Sequence, residues 1–453
     1  MARLTSDSLG SESFRRDYGI KYSYMSGAMY KAISSVDLVV AMGAAGLMGV
    51  MGTGGLGLDK IENAIIAIRE KLSCGQAFAL NLLSDPLRPE MEARTVDLYL
   101  RHDVRVVEAS AYMQVSENLV RFRLKGIGRD GEGSVKPVRR IIAKVSRPEV
   151  AEAFMRPAPG KMLDKLVASG ALTEQEANLG RQVPVAQDIC VEADSGGHTD
   201  QGVAYVLMPA MHALRQRVME ECGYADEIRL GAAGGIGTPE AAAAAFILGA
   251  DFIVTGSINQ CTVEAGTSDL VKNMLEGINV QDTAYAPAGD MFEYGARVQV
   301  LKKGLFFPMR ANKLYELYMN HDSIDHIDEK TRTQIQKNYF QRSFEDVWQE
   351  TAAYYQRHHP DIYESACKNP KRKMALIFRW YFVHSTRLAM SGSDVQKVDY
   401  QVHCGPALGA FNQWVKGTEL ESWRSRHVAD IATRIMEGTA EMLGRRLEMY
   451  ARG

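Results

Sequence analysis

The sequence lacks any grouping of residues at metal-ligand spacing. Its six cysteines, at 74, 190, 222, 261, 367 and 404, are scattered, with no C-x-x-C pair and no His/Cys cluster. This excludes a disulfide-stapled or zinc-ribbon scaffold and reads as reduced, mostly buried thiols of a cytoplasmic protein. The pairs His321/His326 and His358/His359 lie in polar helical sequence and read as solvated rings, so no metal is expected. A strong charge of either sign is also missing. The net charge of −2 gives no global attraction to nucleic acid or to an anionic membrane, and neither is expected as a partner. The first residues, with Arg3, Asp7, Glu12, Arg15, Arg16 and Asp17, lack the apolar core of a signal peptide. There is no repeat of solenoid period and no low-complexity tract. One uncharged run, 38–58, is long enough to cross a bilayer, but its seven glycines make it a poor membrane segment. It parses better as a buried helix, a turn and a strand.

What is present is a core. The 453 residues are 46% hydrophobic and 24% charged, which fits a globular chain larger than one ordinary domain. Short β-rich runs recur at 22–26, 47–51, 78–82, 104–109, 140–145, 188–193, 228–232 and 252–255. Helical patterns such as 59–72, 89–101, 239–248 and 268–275 follow them. Eight alternating strands and helices predict an α/β fold, a closed (β/α)₈ TIM barrel, over residues 1–280. The connection at 148–184 is too long for a simple crossover and predicts a helical insertion, with Thr173-Glu-Gln-Glu176 as a capping box. Beyond 280 the alternation stops, and 281–453 predicts a mainly helical C-terminal subdomain.

Three glycine-rich segments follow the late strands: Glu192-Ala-Asp-Ser-Gly-Gly-His198, Gly231-Ala-Ala-Gly-Gly-Ile-Gly237 and Val254-Thr-Gly-Ser257. Glycines at a strand end bring backbone N–H groups close to a bound anion. Two such ends, one β-α unit apart, describe a phosphate clamp at a barrel top. Glycine serving only helix–strand packing is the alternative. His198 adds a titratable ring, flanked by glycines that admit a ligand, with Asp194 and Asp200 near enough in sequence to orient it. Lys144 ends the fifth strand and points either into the mouth or toward the outer helices. Asn81 ends the third and offers both a donor and an acceptor. Gly52-Thr-Gly-Gly-Leu-Gly57 is a literal G-x-G-x-x-G. Taken alone it suggests a dinucleotide site, but the next strand ends in Asn81 rather than an acid. A tight turn is the competing reading. The basic stretch Lys368 to Lys373, and Lys302, Lys303, Arg310 and Lys313, read as a wet face of the kind an acidic carrier protein docks on.

Tyr24-Met-Ser-Gly-Ala-Met29, Leu47 to Leu56, Leu80-Asn-Leu82, Glu192 to His198, the Ala-Ala-Gly-Gly-Ile core and Thr255-Gly-Ser257 together resemble the FMN-dependent barrel family of nitronate monooxygenases and flavin enoyl-acyl-carrier-protein reductases. Three later segments are Ala286-Pro-Ala-Gly-Asp-Met-Phe292, Phe307 to Tyr315 and His403 to Asn412. They narrow the resemblance to the trans-acting enoyl reductases of trans-acyltransferase polyketide synthases and their relatives in polyunsaturated fatty acid synthases. The resemblance implies FMN as cofactor, NADPH or NADH as reductant and acyl carrier protein domains as partners. A homodimer is left open. By the same resemblance Gly27, Ala28 and Met29 line the flavin ring, Asn81 contacts it, and Gly196 lies near it. Gly234, Gly235, Gly256 and Ser257 hold the phosphate, and His198 is the catalytic histidine. Lys144, if inward, faces the N1/O2 edge of the ring. Relatives usually read Glu-Ala-Gly-Gly-His, so Asp194-Ser195 is an insertion that alters the reach of His198. The implied activity is reduction of an enoyl thioester. A nitronate monooxygenase using O₂ and a non-catalytic scaffold that docks carrier proteins are the alternatives.

Overall fold

The computed structural model describes residues 4–85 and 89–452. They divide into two compact units. One runs through Asp194, resumes over Gln201–Gly266 and takes in the chain from Gln413; the other comprises Ser195–Asp200 and Thr267–Asn412. The expected division at 280/281 thus differs from the one observed. It falls at Gly266/Thr267, six residues around His198 belong to the second unit, and the tail from Gln413 belongs to the first.

In the first unit eight parallel strands close a barrel. They are Tyr24–Ser26, Met48–Met51, Phe78–Leu83, Val106–Ser110, Arg140–Val145, Asp188–Glu192, Arg229–Ala233 and Phe252–Thr255, hereafter the first to eighth strands. Each pairs with its chain neighbour, and the second strand pairs back onto the first, which pairs with the eighth. Closure removes sheet edges and, with helices outside, buries both faces, which is why these runs read as almost continuously apolar. It also excludes the open sheet that a dinucleotide site at Gly52–Gly57 requires. Those glycines make a tight turn instead, in which a Cβ on Gly52 would lie 1.7 Å from the Met29 carbonyl oxygen. The run 38–58 is the helix Val36–Ala44, a turn and the second strand. Among the described residues no helix is long and apolar enough to cross a membrane.

The barrel is plugged at the N-terminal ends of its strands. Helix Glu12–Tyr18, capped by Ser11 and closed by Gly19 in the left-handed region, lays Phe14 on Phe252 with ring centroids 4.2 Å apart. Arg229 is 2% exposed there and forks onto Asp188 at 2.6 and 3.0 Å while also reaching Asp17 at 2.8 Å. The insertion between the fifth and sixth strands holds helices Pro148–Met155, Gly160–Ala168 and Glu174–Gly180, the last with the expected capping box of Thr173 and Glu176. Pro239 starts Pro239–Ile247 at a position where its missing N–H costs nothing. The final helix, Val428–Arg452, packs on it, Thr439 Oγ1 lying 3.2 Å from the Pro239 carbonyl. With one end sealed, the free end of this barrel is the rim at the strands' C-termini.

The second unit is not purely helical. Strands Thr283–Pro287, Arg297–Leu301 and Gly197–Thr199 form an antiparallel sheet. A three-residue strand that pairs with a partner 100 residues on leaves no periodic trace in the sequence. The helices Phe307–Asn320, Phe344–His358 and Pro370–Ser391 surround an aromatic core that includes Phe292, Phe307, Phe340, Phe378, Tyr381 and Phe382. Arg310, expected on a wet face, is instead drawn inward: its guanidinium bonds Asp399 at 2.5 Å, and Asp399 is 1% exposed.

Candidate active site

At the rim of the first unit the first strand runs into Gly27, Ala28 and Met29, whose N–H groups are all engaged. Gly27 donates to the Thr255 carbonyl at 2.9 Å, Ala28 to Glu108 Oε2 at 3.1 Å and Met29 to Ser34 Oγ at 3.1 Å. The segment is therefore a fixed shelf whose backbone donors are spent within the protein. Asn81 is 4% exposed and spends its amide N–H groups on the Glu108 carbonyl at 3.0 Å and Ser110 Oγ at 2.9 Å. Its amide donors are thus spent within the barrel wall.

Lys144 points inward. Its Nζ lies 3.0 Å from Glu192 Oε1. Burial alone would lower its proton affinity, but Glu192 and then Glu108 outweigh that and hold it well above the ordinary lysine value. Glu108 is completely buried, and burial raises its carboxyl, offset in part by Lys144 and the Ala28 N–H. Its Oε1 is buried without a hydrogen-bond partner. Sequence reading passed over Glu108, although a lone acid inside the apolar run Val-Val-Glu-Ala-Ser was a visible signal.

The seventh and eighth strands supply the glycine ends. Gly234 (φ +88°) and Gly235 (φ +74°) take conformations that favour glycine. A Cβ on Gly234 would sit 2.6 Å from the Ala193 carbonyl oxygen, whereas Cβ positions on Gly235 and Gly256 meet nothing within 4 Å. Gly256 and Ser257 follow on the next strand, where Gly256 caps the short helix Ser257–Gln260. Backbone bared by glycine on two adjacent strand ends fits an anionic group such as a phosphate. The chain's own residues therefore suit a phosphorylated ring cofactor on this rim.

The second unit holds His198 and Gly196. His198 Nε2 lies 2.9 Å from Asp290 Oδ1, a partner 92 residues away, with the ring half exposed. Burial opposes the charge of Asp290, but the hydrogen bond and charge of His198 outweigh it and hold the carboxyl down to about 2. His403 is close by: a Cβ on Gly197 would lie 3.5 Å from its Nδ1. Burial, then the charge of His198, lowers His403 to about 4, so its ring is neutral at pH 7. Asp290 and His403 both lie in segments that carry the resemblance, and nothing in the sequence marks either as a neighbour of His198. The carboxylate expected beside His198 was a near neighbour in sequence. Among the described residues no three His, Cys, Asp or Glu side chains gather as a metal site.

Residues 321–400 match the family model described as "[Acyl-carrier-protein] S-malonyltransferase, inserted helical domain". The chain is 58% identical over 450 residues to the polyketide biosynthesis protein PksE of Bacillus subtilis (strain 168), covering 99% of this chain and 58% of that protein. It is 46% identical over 417 residues to one polyunsaturated fatty acid synthase polypeptide of Thraustochytrium sp. (strain ATCC 26185 / S-3), covering 91% of this chain and 28% of that polypeptide. The chain thus spans little more than half, or less, of these relatives' lengths. Among solved structures, the enoyl reductase domain of MlnA, from the macrolactin biosynthesis cluster of Bacillus amyloliquefaciens, superposes with a TM-score of 0.95 at 47% identity, with 98% of this chain and 99% of that one covered.

Proposed function

We propose, since the chain belongs to the enoyl reductase family of polyketide and polyunsaturated fatty acid synthases, that it reduces the α,β double bond of enoyl thioesters on acyl carrier proteins, acting in trans, with FMN as resident cofactor and NADPH or NADH as reductant. The observation that carries the reading is the full-length match to an enoyl reductase domain. The rim of the barrel supports the cofactor.

Gly234, Gly235, Gly256 and Ser257 would hold the phosphate, and Gly27, Ala28 and Met29 would form the shelf for the ring. When bound, the flavin supplies a hydride to Cβ of the thioester. The remaining work falls to side chains. Lys144, held protonated between two carboxylates, places a fixed positive charge in the barrel mouth, where charge is worth more than in water. His198 is the catalytic residue of this reading: a donor of the kind that contributes a few kcal/mol to a developing enolate. Gly196, two residues before it, would lie near the cofactor. Carrier proteins are acidic partners in this reading, and Lys302 and Lys303, both exposed, are suited to meet them.

The test is a visible absorption spectrum of the purified protein, followed by NADPH-driven reduction of a crotonyl group on a carrier protein. Yellow protein that turns over the crotonyl thioester supports the reading. Protein that stays colourless with added FMN removes the cofactor, and oxygen uptake on a nitronate without enoyl reduction removes the activity.

A further inference from the structure

The second unit holds more acid–base chemistry than one histidine. His198 registers with Val298, and His403 forms an isolated bridge with Val300, on the same strand. Positions two apart on a strand share a face, so the two histidines are set side by side. Asp290 lies in the turn between Thr283–Pro287 and Arg297–Leu301. That turn is anchored. Phe292 is completely buried, with ring contacts to Tyr315, Phe378 and Phe382, and Gly289 is pressed so close to Phe382 that a Cβ would lie 2.6 Å from its Cβ. Asp290 is thus held by a core although its own side chain is 65% exposed. On the other side, His403 Nε2 lies 2.8 Å from the Gln401 amide nitrogen, which fits a neutral ring that accepts there. Arg297 registers opposite Thr199, and Asp200 follows it, adding one charge of each sign along the strand. His403 does not compete for Asp290 as a second cation, because burial and the charge of His198 keep it neutral.

We propose that Asp290 is the positioning residue of His198: its carboxylate fixes the imidazole ring and keeps it as imidazolium, so that a cation meets the negative charge developing on the thioester oxygen. The inference deepens the enoyl reductase reading and rests on it.

The test uses the full chain carrying Asp290→Asn, which keeps an acceptor of the same shape and removes the charge. With a crotonyl carrier protein, kcat is expected to fall about 10- to 100-fold while KM stays within about 3-fold. The alkaline limb of the kcat profile should move to lower pH by about one unit. The His198 ring resonance, assigned with His198→Gln, should titrate lower in the variant by a similar amount. Asp290→Glu, which restores the charge, should return the alkaline limb to its wild-type position even if the longer side chain misplaces the ring, and it serves where the asparagine variant does not fold. A variant kcat within 2-fold of wild type with an unmoved limb overturns the proposal. If wild type reduces no enoyl thioester, the functional reading fails instead. The resonance still decides Asp290 alone: equal midpoints in the two chains sink it.

Discussion

Glu108 reaches across the barrel to Ala28, its Oε2 accepting the backbone N–H at 3.1 Å while its Oε1 stays buried and unpartnered. The carboxyl is raised, chiefly by burial. A group raised in the folded chain leaves stability intact below its unfolded value, 4.5, and removes it as pH climbs through the folded one. Glu108→Gln keeps the acceptor for Ala28 and abolishes that loss. The variant should therefore melt above wild type at pH 7.5, on the order of 2 °C, with the two curves converging near pH 4.5. A melting series at several pH values checks this. A variant that melts lower at pH 7.5 would show that attraction to Lys144 outweighs the cost of burial.

The two glycine ends separate packing from phosphate binding. Gly234 combines φ +88° with a Cβ position 2.6 Å from a backbone oxygen, so Gly234→Ala strains the turn itself and should cost about 1–3 kcal/mol. Gly256 has φ −129° and empty space where a Cβ would go. Gly256→Ala should melt as wild type does, yet bind FMN at least 10-fold more weakly in a fluorescence titration. Unchanged FMN affinity in Gly256→Ala would return these glycines to the packing explanation.

The sequence made the barrel legible because each strand is a local apolar run followed by a helical period, and because glycine and proline mark the turns. Every strand it placed lies within two residues of the observed one. What it missed depends on distance along the chain. The sheet of the second unit pairs Gly197–Thr199 with Arg297–Leu301, and the first of these is a three-residue stretch with no apolar run to mark it. Asp290 meets His198 across 92 residues, and Arg310 meets Asp399 across 89, so a contiguous reading looks for the carboxylate of His198 at Asp194 and Asp200 and sees a wet arginine. The orientation of Lys144 turned on strand parity, which register alone decides. Glu108 is a different kind of miss, since its oddity was local and in plain view.

The base of the barrel gives a stability prediction. Arg229 is buried on Asp188, and Tyr18 also donates to that carboxylate at 2.6 Å. Replacing one member of a buried pair strands the other charge, at a cost of about 3–5 kcal/mol. Arg229→Met should lose that much in denaturant unfolding, and the double variant Arg229→Met/Asp188→Leu should regain most of it. The site is at the opposite ends of the strands, so FMN affinity should hold in both variants at low denaturant. A double variant no more stable than the single one would show that packing, not the stranded carboxylate, carries the loss.

His403 makes the second unit acid-sensitive. Its folded value is about 4 against an ordinary 6.5, lowered first by burial and then by the charge of His198, with Asp290 opposing. Because the unfolded chain binds the proton more readily, it holds more protons between pH 4 and 6.5, and stability rises with pH across that window. The contribution is complete above about pH 6.5 and is withdrawn on acidification. At 1.36 kcal/mol per unit, the full difference is on the order of 3 kcal/mol. Asp290 titrates lower still, its carboxyl held to about 2, so it stays ionised through the same window and adds no slope there. His403→Gln carries no titrating ring. Its melting temperature should depend less on pH between 6.5 and 4.5 than that of wild type, while at pH 8 the two should respond to pH alike. If both chains lose stability in parallel on acidification, the proton is being taken up elsewhere, and the neutral imidazole of His403 is not the acid-sensitive element of this unit.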